Sequence, residues 1–528
     1  MPAIITDQLR ILNAKNFVAS ATTSTNSYYV FLGLPNATNY DENWDADPPA
    51  PKDNFNEEND YWDTMVALKK VKPEDVKQVV KKVSWASGTT YDMYRHDISR
   101  TNLSQPSEAT TLYSANYYVV NSEYKVYICI HNGTDPENVE GRPSLDEPTF
   151  TDLEPKPAGT SGDGYIWKYL YTIPPSDIIK FDGLNYMPVP NDWGSTSATS
   201  IIQSNATTSG QLKNIVITGR GSQLGDPGVY TNVPIKGDGT GAEATIVIDE
   251  DSKVESITIS QGGSGYTYAT VDIKSSDIST DEQGYSEPTF DVIIPPYGGH
   301  GYDIYRELGA YNVLIYSRIE NDLENPDFIV GNQVARFGIV KNPLSYNSDE
   351  ILTAEKVSAV PALKFTGNNI GDVDYPADSL ITQTVSTGST AVGRVISYDK
   401  NTGVLKYWQD RTLVGFNSNG TLNSSPAYGF ERVSFTSSVG AGGNLIINGQ
   451  NSALQIDSTF GSTSSPGIST NGINNNATKI YYLGQQFING VANPEVQKHS
   501  GDLIYVDNRS SITRSPNQKE DIKVILQF

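Results

Sequence analysis

The chain has 528 residues, with 61 acidic against 38 basic side chains for a formal net charge of −23, 32 tyrosines and a single cysteine. That length accommodates several domains with cores of their own, the lone Cys129 excludes an intrachain disulfide, and the negative charge opposes a phosphate backbone, so no nucleic-acid partner is expected. The start, MPAIITDQLRILNAKNF, lacks a basic segment followed by an apolar one, and no apolar run reaches the roughly 20 residues that span a bilayer; the expectation is a chain made in a cytoplasm with no membrane partner.

Helical signals gather near the N-terminus. Asp7 to Phe17 predicts a helix with Leu9, Leu12 and Phe17 on one face, after which SYYVFLGL is a strand. In the acidic, Pro-rich loop that follows, Asp41, Asn43 and Asp45 stand at positions one, three and five of a calcium loop, but Ala46 replaces the Gly at position six and Lys52 the Glu at position twelve. No cation is expected there. Between Glu57 and Val83, Tyr61, Trp62, Met65, Val66 and Leu68 recur at helix-like spacing until Pro73, and Pro73-Glu74-Asp75 opens a second short helix.

Beyond this the texture is β. NYYVV, YKVYICI, GYIWKYLYTI, NVLIY, ARFGIV, GVLKYW, NLIING, LIYVDN and IKVILQF all combine Tyr, Val and Ile with period-two alternation and turn residues at their ends. Cys129, between Ile128 and Ile130, reads as a small buried hydrophobe. In the last segment Ile522, Val524 and Leu526 share a face, and its strand partner is expected to be Leu503 to Val506.

Two stretches differ in texture, about Ser197 to Pro296 and about Asp349 to Ile480, both rich in Gly, Ser, Thr and Asn. In the first, GVYTNVPIKGDGTGAEATIVI is echoed by GGSGYTYATVDI, with Gly237, Gly239 and Gly241 assigned to turns at positive φ. Both are read as inserted all-β domains. The predicted class is α+β, predominantly β: a core of sheets and a few helices made from residues 1–196, 297–348 and 481–528, interrupted by insertions at 197–296 and 349–480.

HExxH, the phosphate-loop signature, GxSxG and CxxC are absent, and His96, His131, His300 and His499 are far apart in sequence. No catalytic residue, cofactor, metal or small-molecule substrate is expected. The tyrosine excess suits sheet pairing first, and protein interfaces or sugar binding second.

Three strings carry a resemblance. SGDGYIWKYLYTIPP, with Gly162, Asp163, Gly164, Tyr165, Trp167, Tyr169, Leu170, Pro174 and Pro175, closely resembles a segment of the gene-eight baseplate wedge subunit of T-even-like contractile-tailed phages. VGNQVARFGIVKNPL, with Asn342 and Pro343, is similar to a later segment of that family. KHSGDLIYVDNRSSI, with His499, Ser500, Gly501, Tyr505, Asn508 and Arg509, looks like its C-terminal block. The two insertions fall between the matched blocks, so the chain resembles an enlarged, cyanophage-like form. Physically, Asp163-Gly164 makes a turn. Tyr165, Trp167, Tyr169 and Tyr171 line one strand face, as a core wall or an interface, and Pro174-Pro175 ends the pairing. Arg509 is placed to pair with Asp507 or with a neighbouring subunit's carboxylate. The resemblance implies a non-enzymatic structural subunit in the virion's tail baseplate, homodimeric and in contact with other wedge proteins as the tail contracts. The alternative is a tail-fibre or adhesin-like host-surface binder, resting on the Tyr-rich insertions.

Overall fold

The apolar run that the sequence places on one long helix is divided between a helix and a strand. Asn54 caps the helix Phe55–Thr64 by accepting from Glu57 N–H at 3.1 Å, and Glu57 and Glu58 lie in its first turn. At Met65 the backbone turns extended, and Met65–Lys70 is a strand whose first four side chains are all buried. Met65, Val66, Ala67 and Leu68 are apolar at every position, a pattern that fits a doubly covered strand as well as a helix. Pairing on both sides, with Tyr28–Gly33 and Lys356–Ser358, decides it. Pro73–Asp75 makes only one 3-10 turn before the strand Val76–Lys81. The N-terminal helix runs from Asp7 to Thr22, but Leu9 and Leu12 are exposed while Ile11, Ala14, Val18 and Ala21 face inward.

The computed structural model describes residues 5–35, 44–206, 210–320, 333–366, 369–417, 421–437, 444–452, 454–461, 485–513 and 519–528. Asp41 and Asn43 lie outside the described residues, as does most of the Gly/Ser/Asn-rich stretch near 460–479. Strand outweighs helix, 39% to 13%, which makes the fold α+β and predominantly β. The chain forms two compact units, one from Met1–Val18, Lys77–Ile315 and Val524–Phe528, the other from Ala19–Val76 and Tyr316–Lys523.

In the first unit a three-stranded antiparallel sheet, Tyr118–Val120, Lys125–Asn132 and Tyr165–Thr172, carries an aromatic core that includes Tyr117, Tyr127, Tyr165 and Trp167, with Cys129 buried among them. The stretch 197–296 opens with a helix, Ser197–Asn205, whose Ile202 joins that same core. Next comes a four-stranded sheet in the order Val254–Ser264, Thr240–Ile248, Gly228–Gly237, Ala269–Val271, and beside it the pair Asn214–Gly219 and Thr289–Ile293. Leu212 N–H donates to Gly262 O, and Val254 N–H to Arg220 O, so the edge of the sheet is fastened to the pair at both ends. These six strands surround a second cluster drawn entirely from residues 212–294, with Val233, Ala244, Ile246 and Val254 fully buried. Of the three glycines assigned to positive φ, only Gly241 has it, at +77°. Gly237 and Gly239 are required by close approach instead: a Cβ would sit 2.1 Å from Tyr268 O on the first and 2.5 Å from the Tyr266 ring on the second.

In the second unit five antiparallel strands lie in the order Lys356–Ser358, Met65–Lys70, Tyr28–Gly33, Gln333–Lys341, Asp502–Thr513. A further sheet is built on Leu380–Ser386, Ser389–Asp399, Val404–Trp408 and Ala362–Thr366, and Leu363, Phe365, Ile381, Val395 and Leu405 are its core.

The C-terminal strand, Lys519–Gln527, corrects one expectation. Its neighbour is Asn312–Glu320, in a sheet that continues through Val76–Lys81 to Tyr186–Pro188. Leu503 to Val506 belongs to Asp502–Thr513, which pairs with Gln333–Lys341 and continues well beyond Val506. Arg318 to Asp521 at 2.7 Å, Lys519 to Glu320 at 3.1 Å and Phe528 N–H to Tyr311 O at 3.2 Å make the C-terminal pairing antiparallel. The boundary between the units falls inside both of these strands.

Candidate functional site

The sequence signature divides between the units, and each group has its own chemistry. In the first unit Asp163 organises a turn: Oδ2 accepts from Leu145 N–H at 2.8 Å and Oδ1 from Tyr165 N–H at 3.0 Å. Gly162 and Gly164 both have positive φ, and a Cβ on Gly164 would lie 2.8 Å from Gly133 Cα. Gly133 N–H donates to His131 Nδ1 at 3.0 Å, and burial pushes that imidazole towards its neutral form.

The strand Tyr165–Thr172 then puts Tyr165, Trp167, Tyr169 and Tyr171 on its inner face, all buried within this chain. Tyr165 stacks on Trp167 at 5.3 Å and accepts from Tyr91 N–H at 2.9 Å, while Tyr171 donates to Pro188 O at 3.0 Å. The four aromatics are therefore a core wall. On the other face Leu170 is fully buried, and Lys168 donates to Leu153 O at 2.6 Å with its pKa lowered by burial. Pro174 ends the strand and Pro175 opens the helix Pro175–Phe181.

The second unit gathers the remaining signature residues around two adjacent strands. Asn342 has φ +51°, accepts from Ser27 N–H at 2.8 Å and donates to Asn26 Oδ1 at 3.0 Å. Pro343 O accepts from Leu352 N–H at 2.8 Å, and Ser500 Oγ accepts from Leu344 N–H at 2.9 Å. His499 and Gly501 have positive φ, and a Cβ on Gly501 would lie 2.4 Å from Lys341 O. Tyr505 stands opposite Ile339 in the register. Arg509 pairs with Asp507 at 2.5 Å, and its carbonyl accepts from Trp44 Nε1 at 3.0 Å.

Arg336 lies at the centre, 1% exposed. It donates to Asn508 Oδ1 at 2.9 Å and Thr64 Oγ1 at 2.6 Å, and its guanidinium sits 4.7 Å from the Tyr61 ring centroid. Burial pulls its pKa down to about 10 against the opposing charges of Tyr61 and Asp60. Nearby, Asp63 Oδ2 accepts from Arg411 Nε at 2.6 Å and Arg432 Nη2 at 2.7 Å. Burial raises the Asp63 pKa, but Arg432, Lys498 and Arg411 outweigh it and hold the carboxyl below its usual range. Lys498 is pulled down to about 8, chiefly by burial. His499 packs its ring 6.1 Å from Trp62.

Asp63, Arg411, Arg432 and Lys498 were not legible as a group, because no spacing in the sequence links a residue to partners 348, 369 and 435 positions away. Arg336 did leave a signal, a charge inside the apolar run VARFGIV. Chemically the arrangement is a clamp, in which the buried Asp63 carboxylate holds two guanidinium groups while the Asp63 main-chain carbonyl accepts from Lys498 Nζ at 3.4 Å. Among the described residues no group of three or more His, Cys, Asp or Glu could hold a metal ion, and no helix is long and apolar enough to cross a membrane. No protein-family model matches the chain, and a search of curated proteins returns no match.

Proposed function

We propose that this chain is a non-enzymatic structural subunit of a contractile phage tail, of the baseplate-wedge type, working as a homodimer among other wedge proteins. The observation that carries the reading is where the resembling residues sit. The second and third blocks, far apart in sequence, lie on the paired strands Gln333–Lys341 and Asp502–Thr513 and are fastened by Arg336 to Asn508 and by Leu344 to Ser500. The positions that the resemblance selects, Gly164, Asn342, His499 and Gly501 among them, bear positive φ, close backbone approach or hydrogen bonds to segments distant in sequence. Such residues fix turns and strand pairing, and a framework of this kind suits an architectural role.

The test is to localise the chain in a reconstruction of the intact tail. The expected result is a baseplate position in about six or twelve copies, as ring symmetry with one or two copies per wedge requires. Copies in multiples of three on a fibre would favour the host-surface binder instead.

A further inference from the structure

The N-terminal helix Asp7–Thr22 has two apolar faces. Ile11, Ala14, Val18 and Ala21 turn inward and are buried. On the opposite side Leu9 and Leu12 are 45% and 51% exposed, and Ile5, just ahead of the helix, is 62% exposed. Asn16 and Ala19 continue the same line and are also exposed. The four helical residues Leu9, Leu12, Asn16 and Ala19, at spacings of three, four and three, form a narrow stripe with the spacing of a two-helix coiled-coil seam, and Ile5 extends it beyond the helix start.

We propose that this seam is a self-association surface, in which the helix pairs in parallel with the same helix of a second copy of the chain. The proposal rests on the dimeric reading given above and names its contact. Two observations select a second copy as the occupant. Asn16 falls at a seam position, and across a two-fold axis it meets itself; its amide both donates and accepts, so the pair satisfies itself, whereas an unrelated helix must bring a polar group of its own. Charge is the second. A chain of net charge −23 repels its copy, yet residues 7–22 contain one acid, Asp7, and two bases, Arg10 and Lys15. Arg10 stacks 4.0 Å from the Tyr311 ring centroid and Lys15 lies 5.6 Å from that of Tyr305, so both bases are engaged with the chain's own rings. The residues flanking the seam are Gln8, Asn13, Lys15 and Ser20, and in a parallel pair Lys15 of one copy faces Ser20 of the other, not a second lysine. Two copies meet there without like charges opposed. The inward face already holds the helix, so association does not bear the cost of forming it.

The experiment uses the full chain. Sedimentation gives its mass, the Leu9→Lys/Leu12→Lys double variant tests the seam, and single Leu12→Cys and Ala19→Cys variants report its geometry under mild oxidation, with Cys129 buried and out of reach. The expected result is a dimer whose dissociation constant rises about a hundredfold or more in the double variant, with unchanged circular dichroism, and disulfide-linked dimers for both cysteine variants. Linkage at Leu12→Cys without linkage at Ala19→Cys overturns the parallel arrangement. A dimer that persists in the double variant and forms no link overturns the seam while leaving the dimeric reading intact. A chain that stays monomeric at high concentration overturns both.

Discussion

Asp63 is 3% exposed, with one carboxylate oxygen shared by two guanidinium groups. Replacing it with Asn keeps the shape and removes the charge that Arg411 and Arg432 share. Removing one partner of a fully buried pair costs about 3 to 5 kcal/mol, and solvent at Arg432, 36% exposed, with Asp60 4.0 Å from Arg411, lowers the cost here to about 1 to 3 kcal/mol. The Asp63→Asn variant is expected to lose that much in a denaturant-unfolding measurement, and an unchanged midpoint would remove the clamp from the account. The pH dependence follows from the lowered pKa. Asp63 contributes stability above the unfolded carboxyl value of about 3.9, and that contribution is lost as pH falls through the folded value. The native chain is therefore expected to lose more stability than the variant between neutral pH and strong acid.

Strands were legible because Tyr, Val and Ile alternate with turn residues at their ends, as in Lys125–Asn132 and Tyr165–Thr172. The Met65–Lys70 strand was not, because an unbroken apolar run has no period of its own and takes the form its neighbours impose. The C-terminal strand shows both outcomes: its alternation was readable, with Val524 buried and Ile522 and Leu526 half-buried, while its partner was not. Asn312–Glu320 is almost wholly buried and would be left with an open edge without it. Phe528 adds its ring 5.5 Å from Phe17, and its carbonyl accepts from Arg10 Nε. One buried and two half-buried aliphatics contribute about 3 to 6 kcal/mol, a large share of the roughly 5 to 15 kcal/mol that holds a domain folded. Removing residues 519–528 is expected to abolish soluble expression, and Val524→Asp to lower the melting temperature measurably. A truncated chain that melts like the full one would reduce the strand to an appendage.

The grouping of segments into two units depends on pairings such as Tyr28 with Lys341, which no local pattern specifies. Composition, by contrast, already pointed to the property that governs the whole molecule's alkaline behaviour, its 32 tyrosines. Burial raises the phenol pKa of Tyr94, Tyr117, Tyr118, Tyr165, Tyr171 and Tyr407 well above the ordinary value. The folded chain keeps these protons at a pH where the unfolded chain releases them. Their contribution is complete below about pH 10 and declines above it, by up to about 1.4 kcal/mol per pH unit for each phenol. Lys498 acts in the opposite sense, because its pKa of about 8 in the fold lies below the free value of 10.5; between those limits the unfolded state holds the extra proton, and stability rises with pH. Burial lowers Lys69, Lys168, Lys364 and Arg336 in the same sense as Lys498, and the phenols that it raises outnumber these five cations and set the shape of the curve. Denaturant midpoints taken in steps from pH 8 to 12 are expected to hold level or rise slightly up to about 10 and then fall steeply, with phenolate absorbance growing in step with unfolding. Phenolate absorbance that rises near pH 10 for all the tyrosines while the chain stays folded would show that these side chains are open to solvent, and the aromatic core described above would be wrong.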